Sequence, residues 1–298
     1  MTDSISRIGL GTAQFGLDYG ISNLRGKVAE SNVSDILDHA WKTGVKILDT
    51  AKLYGDSEAV LGRLMAPKHQ FKIITKTPTI NRETITKEDA RNFRAALEDS
   101  LRLMNQTSIY CLMVHHGHNL LRPGSQHLIR ILEDVKAEKL IEQIGVSVYS
   151  GDEIDAILEN FAPDIVQLPF NAADLRLKES DHLSKLKNIG VEIHARSLFL
   201  QGLLLQEPEN LPDYFDPIKS SLKQFGATAG EHGLSRLEAC LASALAQPEL
   251  DTLIVGTTCL SEFEEILRAV QNVDSNCITD TPKVVMDHNF IDPTHWPQ

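Results

Sequence analysis

The chain has 298 residues, of which 42% are hydrophobic and 23% are charged, as in an average soluble globular protein. Disorder and collagen-like repeats are therefore excluded as its main character, and no apolar run approaches the ~18 residues of a membrane-spanning helix. With 29 Lys and Arg against 41 Asp and Glu, the net charge is −12, which disfavours nucleic acid and anionic membranes as partners.

Short apolar runs, each about the length of a buried β-strand, recur along the whole chain. They span Arg7–Thr12, Lys46–Thr50, Phe71–Lys76, Ile109–His115, Glu142–Val148, Asp164–Phe170, Val191–Ser197 and Thr252–Thr257. Between them, apolar residues recur at the spacing of three and four positions that is typical of helices. These predicted helices span Ser31–Lys42, Ser57–Met65, Lys87–Leu103, Gln126–Ala137, Asp152–Phe161, Ser180–Lys187, Ser235–Leu245 and Ser261–Val270.

Eight units of strand followed by helix predict an α/β fold, a single (β/α)8 TIM barrel over residues 1–298. A doubly wound open sheet would carry Gly-x-Gly-x-x-Gly after its first strand, and the sequence from Gly9 does not complete that motif. The longest irregular insertion, Gln206–Pro217, follows the seventh strand, and residues 273–298 are expected to form a tail across one end of the barrel. Ser261 and Glu264 predict a capping box on the last barrel helix.

The N-terminus and the cysteines indicate the compartment. Residues 1–7 lack the basic patch and apolar core of a signal peptide. The four cysteines, Cys111, Cys240, Cys259 and Cys277, lie far apart without a Cys-x-x-Cys pair, which argues against disulfides and a thiolate zinc site. We therefore expect a cytoplasmic protein with buried side chains at Cys111 and Cys240. No cluster of His, Cys and carboxylate residues suggests a metal, and no exposed apolar stripe argues against a monomer or a weak oligomer.

Polar residues close three neighbouring strands of the predicted barrel. Asp49, Lys76 and His115 each end an apolar strand, and Tyr54 lies on the loop after the second strand. Active sites of TIM barrels lie at the C-terminal ends of the strands, so these four side chains should point into one bowl. Any one of them alone is more often an ordinary ion pair, a structural histidine or a loop aromatic. Four at successive strand ends favour a functional site.

The chemistry of these four residues suits carbonyl reduction. A tyrosine, with an ordinary pKa of about 10, donates a proton poorly at neutral pH unless a nearby ammonium stabilises its phenolate. A carboxylate beyond the ammonium keeps it charged, and a histidine opposite can donate a hydrogen bond to a carbonyl oxygen. Such a set can protonate that oxygen as hydride reaches the carbon, or deprotonate an alcohol in reverse.

Motifs along nearly the whole chain resemble those of the aldo-keto reductase superfamily. They include Leu10-Gly-Thr-Ala13, Leu48-Asp-Thr-Ala51, Tyr54-Gly-Asp-Ser-Glu58, Met113-Val-His115, Ile144-Gly-Val-Ser147 and Gln201-Gly-Leu-Leu204. The resemblance implies an eight-stranded barrel and NAD(P)H-dependent reduction of aldehydes and ketones. It makes Tyr54 the proton donor, Lys76 and Asp49 the pair that tunes it, and His115 the residue that orients the carbonyl.

The resemblance also implies NADP(H) or NAD(H) as the cofactor and the residues that bind it. Ser147 and Gln167 match the positions that hold the nicotinamide, while Val148 stands where the family has Asn. Arg196 replaces an aromatic residue under the nicotinamide ring, where its guanidinium could stack or could instead pair with a carboxylate of the bowl. The other expected cofactor contacts are Gly11, Thr12, Ser197, Gln201, Gly202, Gly256, Thr257, Thr258 and Glu265.

Acidic residues after the eighth strand bear on the choice of cofactor. NADP-preferring relatives have Lys or Arg there for the 2′-phosphate, whereas this chain has Glu262, Glu264 and Glu265. Carboxylates would repel a phosphate dianion, which makes NADH an option. Alternatively, these acids stabilise the first turn of the helix through its dipole.

The substrate is expected to be a small carbonyl compound. Among such compounds, a sugar or sugar-like molecule is the expected class. Phe15, Tyr19 and His116 are the expected contacts, in loops more polar than a steroid pocket needs. Two alternatives stay open: a cofactor-binding regulatory subunit, and a lyase or isomerase that uses the same Tyr–Lys pair without redox chemistry.

Overall fold

The computed structural model describes residues 4–21, 23–273 and 282–296. Parallel strands form a closed barrel in which each strand pairs with the next along the chain and the last pairs with the first. The strands are β1 (Ile8–Gly11), β2 (Ile47–Asp49), β3 (Lys72–Lys76), β4 (Ile109–Val114), β5 (Ile141–Ser147), β6 (Ile165–Pro169), β7 (Glu192–Arg196) and β8 (Thr252–Gly256). The predicted (β/α)8 barrel is confirmed.

Helices alternate with the strands on the outside of the barrel. They are α1 (Ala13–Gly16), α2 (Glu30–Thr43), α3 (Ser57–Leu64), α4 (Lys87–Leu103), α5 (Gln126–Ala137), α6 (Gly151–Leu158), α7 (Arg176–Glu179), α8 (His182–Asn188), α9 (Asp216–Glu231), α10 (Arg236–Leu245), α11 (Leu260–Asn272) and α12 (His288–Ile291). Across the described ranges, no helix combines the length and the apolar character needed to cross a membrane.

Strand alternation explains why the polar strand ends face inward. The barrel interior is filled by apolar side chains that include Ile47, Ile74, Met113 and Ile165. Side chains two positions apart on a strand point to the same face, so the residue two positions after each of these also points inward. Those residues are Asp49, Lys76, His115 and Gln167. The polar bowl therefore lies directly above the apolar interior.

Two expectations about the last third of the chain are wrong. The insertion at Gln206–Pro217 was expected to be irregular, but Pro217 lies in the first turn of α9, where proline is tolerated because its missing N–H needs no partner. The capping box at Ser261 and Glu264 is not formed, because α11 begins at Leu260 with Cys259 as its N-cap. Ser261 is already inside the helix.

The described part of the tail, residues 282–296, packs at the catalytic end of the barrel. The N–H of Val284 donates to the carbonyl of Ala172, which follows β6, over 2.9 Å. Trp296 is buried edge-on against Phe215, with 5.2 Å between the ring centres. These contacts join the tail to the loop after β6 and to the segment between β7 and α9. Cys277 lies outside the described residues, whereas Cys111 and Cys240 are buried as expected.

Candidate active site

A cavity of about 1240 Å³ opens at the C-terminal ends of the strands. Asp49, Tyr54, Lys76 and His115 all line it, so the structure brings together the four side chains that the strand ends predict. The volume exceeds the ~300–1,000 Å³ of pockets for drug-sized ligands, which leaves room for a long ligand beside a small one.

The ammonium of Lys76 is the hub of the buried polar network. Its Nζ donates to Asp49 Oδ2 over 2.6 Å and to the carbonyl of Thr50 over 3.0 Å. It also lies 3.4 Å from the hydroxyl oxygen of Tyr54. The other carboxylate oxygen of Asp49 accepts a hydrogen bond from Gln167 Nε2 over 2.8 Å. Because both charges are paired and hydrogen-bonded, the network is a stable way to bury an ion pair.

Two glycines place the loop that carries Tyr54. Gly55 has φ +57°, and a Cβ there would collide with the carbonyl oxygen of Gly16 at the end of α1. A Cβ at Gly16 would in turn collide with the carbonyl oxygen of Tyr54. The two backbones therefore touch directly, and only glycine permits this approach. The contact fixes Tyr54 above Lys76.

Burial and charge set the protonation of the Tyr54–Lys76 pair. Burial raises the pKa of Tyr54, and the nearby Lys76 ammonium only partly opposes this effect. Burial has the largest single effect on Lys76 and disfavours its ammonium, but the adjacent Asp49 carboxylate and Tyr54 together outweigh it and raise the pKa of Lys76. The Lys76 ammonium does favour the phenolate of Tyr54, as expected from its charge, but burial has the larger effect. At neutral pH the site holds a neutral phenol beside an ammonium.

His115 is neutral at physiological pH. Burial, helped by the charge of Lys76, lowers its pKa to about 3. Its ring stands edge-on to Tyr54, with 6.1 Å between the ring centres. Among the described residues, its buried Nδ1 has no hydrogen-bond partner. A neutral imidazole in this position can donate one hydrogen bond to a carbonyl oxygen without itself supplying the proton.

Three residues that the sequence assigns to ligands lie elsewhere. Phe15 is fully buried in the main hydrophobic core. The hydroxyl of Thr12 is also buried, where it donates to the carbonyl of Asp49 and accepts from Ser57. His116 stacks flat on His115, with 4.9 Å between the ring centres, and is 3.3 Å from Thr79 Oγ1. None of the three is in the cavity wall.

The remaining expected ligand contacts do lie in the cavity wall. They are Gly11, Tyr19, Ser147, Gln167, Arg196, Ser197, Gln201, Gly202, Gly256, Thr257, Thr258 and Glu265. The wall also contains Tyr149, which the sequence analysis missed although it follows Ser147 closely. The centre of the Tyr149 ring lies 4.3 Å from the guanidinium carbon of Arg196.

The loop after β7 has a backbone suited to an anion. Ser197, Leu200 and Gln201 have φ values of +61°, +49° and +55°, and Gly202 follows at +91°. Left-handed backbone at non-glycine residues is strained, and such strain clusters at ligand-binding loops. Successive turns of this kind form concave backbone sites that bind phosphate groups. Ser197, Gln201 and Gly202 of this loop line the cavity.

The sequence profile of the Aldo/keto reductase family matches residues 7–277. The chain belongs to this family. It is 24% identical over 288 residues to the L-galactose dehydrogenase of Arabidopsis thaliana, covering 91% of this chain and 86% of that one. It is 25% identical over 219 residues to the NADH-specific methylglyoxal reductase of Escherichia coli, covering 67% and 66% of the two chains. The family and these relatives make the protein an oxidoreductase.

A solved aldo-keto reductase shares the fold. The holo form of an aldo-keto reductase from Bacillus halodurans superposes with a TM-score of 0.74 at 19% identity, covering 96% of this chain and 95% of that one. Members of the family use a nicotinamide cofactor, and the cavity at the strand ends of the present protein fits one. Asp49, Tyr54, Lys76 and His115 form a tetrad, and Ser147 and Gln167 line the cavity beside it. The strained loop from Ser197 to Gly202 and the turn between β8 and α11 form further parts of the cavity wall.

In the present protein, a side-chain carboxylate of the chain itself already lies at the start of α11. Glu262 Oε2 accepts hydrogen bonds from the N–H of Thr258 over 2.8 Å and from its hydroxyl over 2.7 Å. Backbone N–H groups at a helix start are the usual binding site for a phosphate. Here the N–H of Thr258 is bonded to a carboxylate, and both Glu262 and Glu265 line the cavity.

The far rim of the cavity comes from the acidic insertion Gln206–Pro217, which was expected to help form the substrate pocket, and from helices α9 and α10. Glu207 and Glu209 precede α9, and Lys223 and Arg236 lie on α9 and α10. Arg236 Nη1 donates to the carbonyl of Leu222 over 2.8 Å, and its Nη2 is 3.7 Å from Glu207. Lys223 was not expected at the cavity, because the predicted fold lacks α9.

Proposed function

We propose that the chain reduces an aldehyde or ketone to the alcohol with NADH or NADPH, and that Tyr54 donates the proton. One observation carries the proposal: the Lys76 ammonium contacts both Asp49 and Tyr54 beside a neutral His115, in the wall of one cavity. When bound, the nicotinamide supplies or accepts the hydride. Membership of an oxidoreductase family supports this reaction type.

The chain's own residues then act as follows. His115, being neutral, donates a hydrogen bond to the carbonyl oxygen and orients it. Tyr54 donates its hydroxyl proton to the same oxygen as negative charge develops there. Lys76 stabilises the phenolate that remains, and Asp49 keeps Lys76 charged and in place. Gln167 holds Asp49 through its second oxygen. In the reverse direction the Tyr54 phenolate accepts the alcohol proton.

We assign the cofactor along the cavity wall from the tetrad outward. Ser147 and the free oxygen of Gln167 would hold the nicotinamide amide, and the loop from Ser197 to Gly202 would hold the pyrophosphate. Thr257, Thr258 and Glu265 would face the adenosine. The Glu262 carboxylate at this end favours NADH over NADPH, because it would repel a 2′-phosphate. The Escherichia coli relative is named an NADH-specific reductase, which supports this preference.

The proposed substrate class is a small sugar or sugar-like carbonyl compound. Polar and aromatic side chains near the tetrad, among them Tyr19, Tyr149 and Arg196, suit a ligand with many hydroxyl groups. The Arabidopsis thaliana relative is named for a sugar substrate, which supports this choice. Cytoplasmic location is proposed on the cysteine pattern alone.

Replacement of Tyr54 tests the proposal. We expect Tyr54→Phe to lower turnover of a panel of aldehydes and aldoses by roughly 10²- to 10⁴-fold while leaving cofactor affinity within about twofold. Affinity is measured by the fluorescence of Trp41 and Trp296. Tyr214→Phe, which removes a hydroxyl from an aromatic cluster around Phe215 and Phe290, is the matched control. Turnover by Tyr54→Phe within tenfold of the wild type would contradict the proposal, and a product without a mass change of two hydrogens would favour a lyase or isomerase.

A further inference from the structure

The guanidinium of Arg196, in the cavity wall, has no acidic partner within the described part of the chain. Arg196 ends β7 and lines the cavity together with Tyr54 and His115. Over residues 4–21, 23–273 and 282–296, no carboxylate lies within ion-pair distance of its guanidinium. Lys76, the cation within the tetrad, is paired with Asp49, with 2.6 Å between Nζ and Oδ2. The expected alternative in which Arg196 pairs with a bowl carboxylate is therefore wrong.

Neighbouring groups hold the Arg196 guanidinium in one orientation. Its Nη2 donates to the carbonyl of Val148 over 3.2 Å, and its Nη1 lies 3.4 Å from the hydroxyl of Ser197. The Tyr149 ring covers one face of the guanidinium. Of the five N–H groups, three have no protein partner in the described part of the chain. A guanidinium fixed in this way matches the geometry of a carboxylate or a phosphate, to which it can donate two parallel hydrogen bonds.

The side chains of Arg196, Tyr54 and His115 line one cavity, so a substrate bound there can contact all three. Its charge adds to burial and to Lys76 in lowering the pKa of His115, and it opposes the burial that raises the pKa of Tyr54. The carboxylate of Glu153, which Arg196 also influences, accepts the N–H of Tyr149 over 2.8 Å. Glu153 is thus held by the backbone and leaves Arg196 unpaired.

The nicotinamide ring is a poor partner for this guanidinium. Tyr149 already occupies one of its faces. The oxidised ring is positively charged, so a cation stacked on it would be repelled in the state that follows carbonyl reduction. An oxyanion avoids both problems, because it meets the edge of the guanidinium and neutralises its charge.

We propose that Arg196 binds an oxyanion of the substrate, so that the enzyme acts on carbonyl compounds that carry a carboxylate or a phosphate. The inference rests on the proposed function, of which it specifies the substrate class. It moves Arg196 from the expected cofactor contacts to the substrate contacts.

Glucose, glucuronate and glucose 6-phosphate test the inference, because they share one ring and differ only at carbon 6. Turnover of each is measured with the wild type, Arg196→Gln and Arg196→Lys, and binding of each to the enzyme–cofactor complex is measured by calorimetry. Arg130→Gln, which removes one exposed positive charge on α5, is the matched control. The carboxylate and phosphate arms show which oxyanion is preferred.

We expect the wild type to prefer at least one charged sugar over glucose by 10-fold or more in kcat/KM or in affinity. Arg196→Gln should abolish that preference, a loss of roughly 10- to 100-fold, and Arg196→Lys should restore part of it. Glucose and cofactor affinity should stay within about twofold in both variants. Loss of cofactor affinity in Arg196→Gln, or no charged-over-neutral preference in turnover and binding, would overturn the inference. Binding of a charged sugar without turnover would instead contradict the proposed function and leave the Arg196 site standing.

Discussion

The Nζ atom of Lys76 lies 3.4 Å from the hydroxyl oxygen of Tyr54, yet the pKa of Tyr54 is raised. Burial therefore outweighs the neighbouring charge, and Tyr54 stays protonated throughout the neutral range. A protonated phenol is the form that carbonyl reduction needs.

The pH profile of the reaction follows from the balance between burial and the Lys76 charge, which together set the pKa of Tyr54. Reduction should stay constant through neutral pH and fall only above about pH 10, the ordinary tyrosine pKa, as Tyr54 loses its proton. Alcohol oxidation should rise over the same range. In Lys76→Met the falling limb should move to higher pH, because the ammonium that opposes burial is gone, and turnover should decrease about 100-fold. Steady-state rates from pH 6 to 11 measure this, with Lys87→Met as a control. A falling limb near pH 7 in the wild type would contradict the account.

His115 links stability to pH. Its pKa is about 3 in the folded protein and about 6.5 in an unfolded chain, so below pH 6.5 the unfolded state binds the extra proton. The stability contributed by the neutral ring is present above pH 6.5 and decreases by at most about 1.4 kcal/mol per pH unit as the pH falls towards 3.

Urea unfolding at pH 7, 6 and 5 measures that slope. His115→Gln should lose less stability than the wild type between pH 7 and 5, since glutamine does not titrate. His127→Gln, at a partly exposed position on α5, serves as the comparison and should keep the wild-type slope. Equal slopes in the wild type and His115→Gln would show that His115 titrates normally when folded.

Glu262 should control the choice between NADH and NADPH. Glu262→Gln keeps an oxygen that can accept from the Thr258 N–H but removes the negative charge. We expect NADPH affinity to rise by roughly tenfold and NADH affinity to change less than threefold. Glu264→Gln makes the same charge change on α11 outside the cavity wall and should leave the ratio unchanged. The account of cofactor choice is wrong if both variants shift the ratio equally.

The contact between Gly55 and Gly16 should limit both stability and turnover. In Gly55→Ala the new Cβ meets backbone that cannot move without displacing Tyr54, so we expect a loss of at least about 2 kcal/mol and a kcat at least tenfold lower. Gly190→Ala is the matched control: its φ is +82°, but the space around it is open. It should cost about 1–2 kcal/mol with kcat unchanged. Equal kcat in the two variants would rule out a positioning role for the contact.

Sequence periodicity predicted the barrel and the inward direction of Asp49, Lys76 and His115, because these depend on alternation along strands. Tyr54 lies on a loop and was assigned from its chemistry and from the family motif. Because Ile47 and Ile74 point into the barrel, Asp49 and Lys76, two positions later on the same strands, also point inward, and the conformation of the loops does not affect this. Loop residues lack this constraint. Phe15 lies in the short helix α1, whose turn directs it into the core, and His116 follows the end of β4 and stacks on His115.

Other features depend on contacts between distant segments or on a balance of opposing effects. The pairing of Arg196 with Tyr149 joins the ends of β7 and β5, and neither residue alone indicates the other. The raised pKa of Tyr54 depends on how completely the folded chain excludes water. The contribution of α9 to the far rim was missed because Pro217 was interpreted as the end of an irregular insertion, whereas it lies in the first turn of α9.

Transfer of deuterium tests the central claim most directly. The wild type is incubated with NADH carrying deuterium at the transferable position of the nicotinamide, together with a panel of aldehydes and charged sugars, and the products are analysed by mass spectrometry. The account predicts an alcohol with one deuterium on the former carbonyl carbon, formed by the wild type and at least about 100-fold more slowly by Tyr54→Phe. Products without deuterium, or equal rates of labelling in the two proteins, would contradict it.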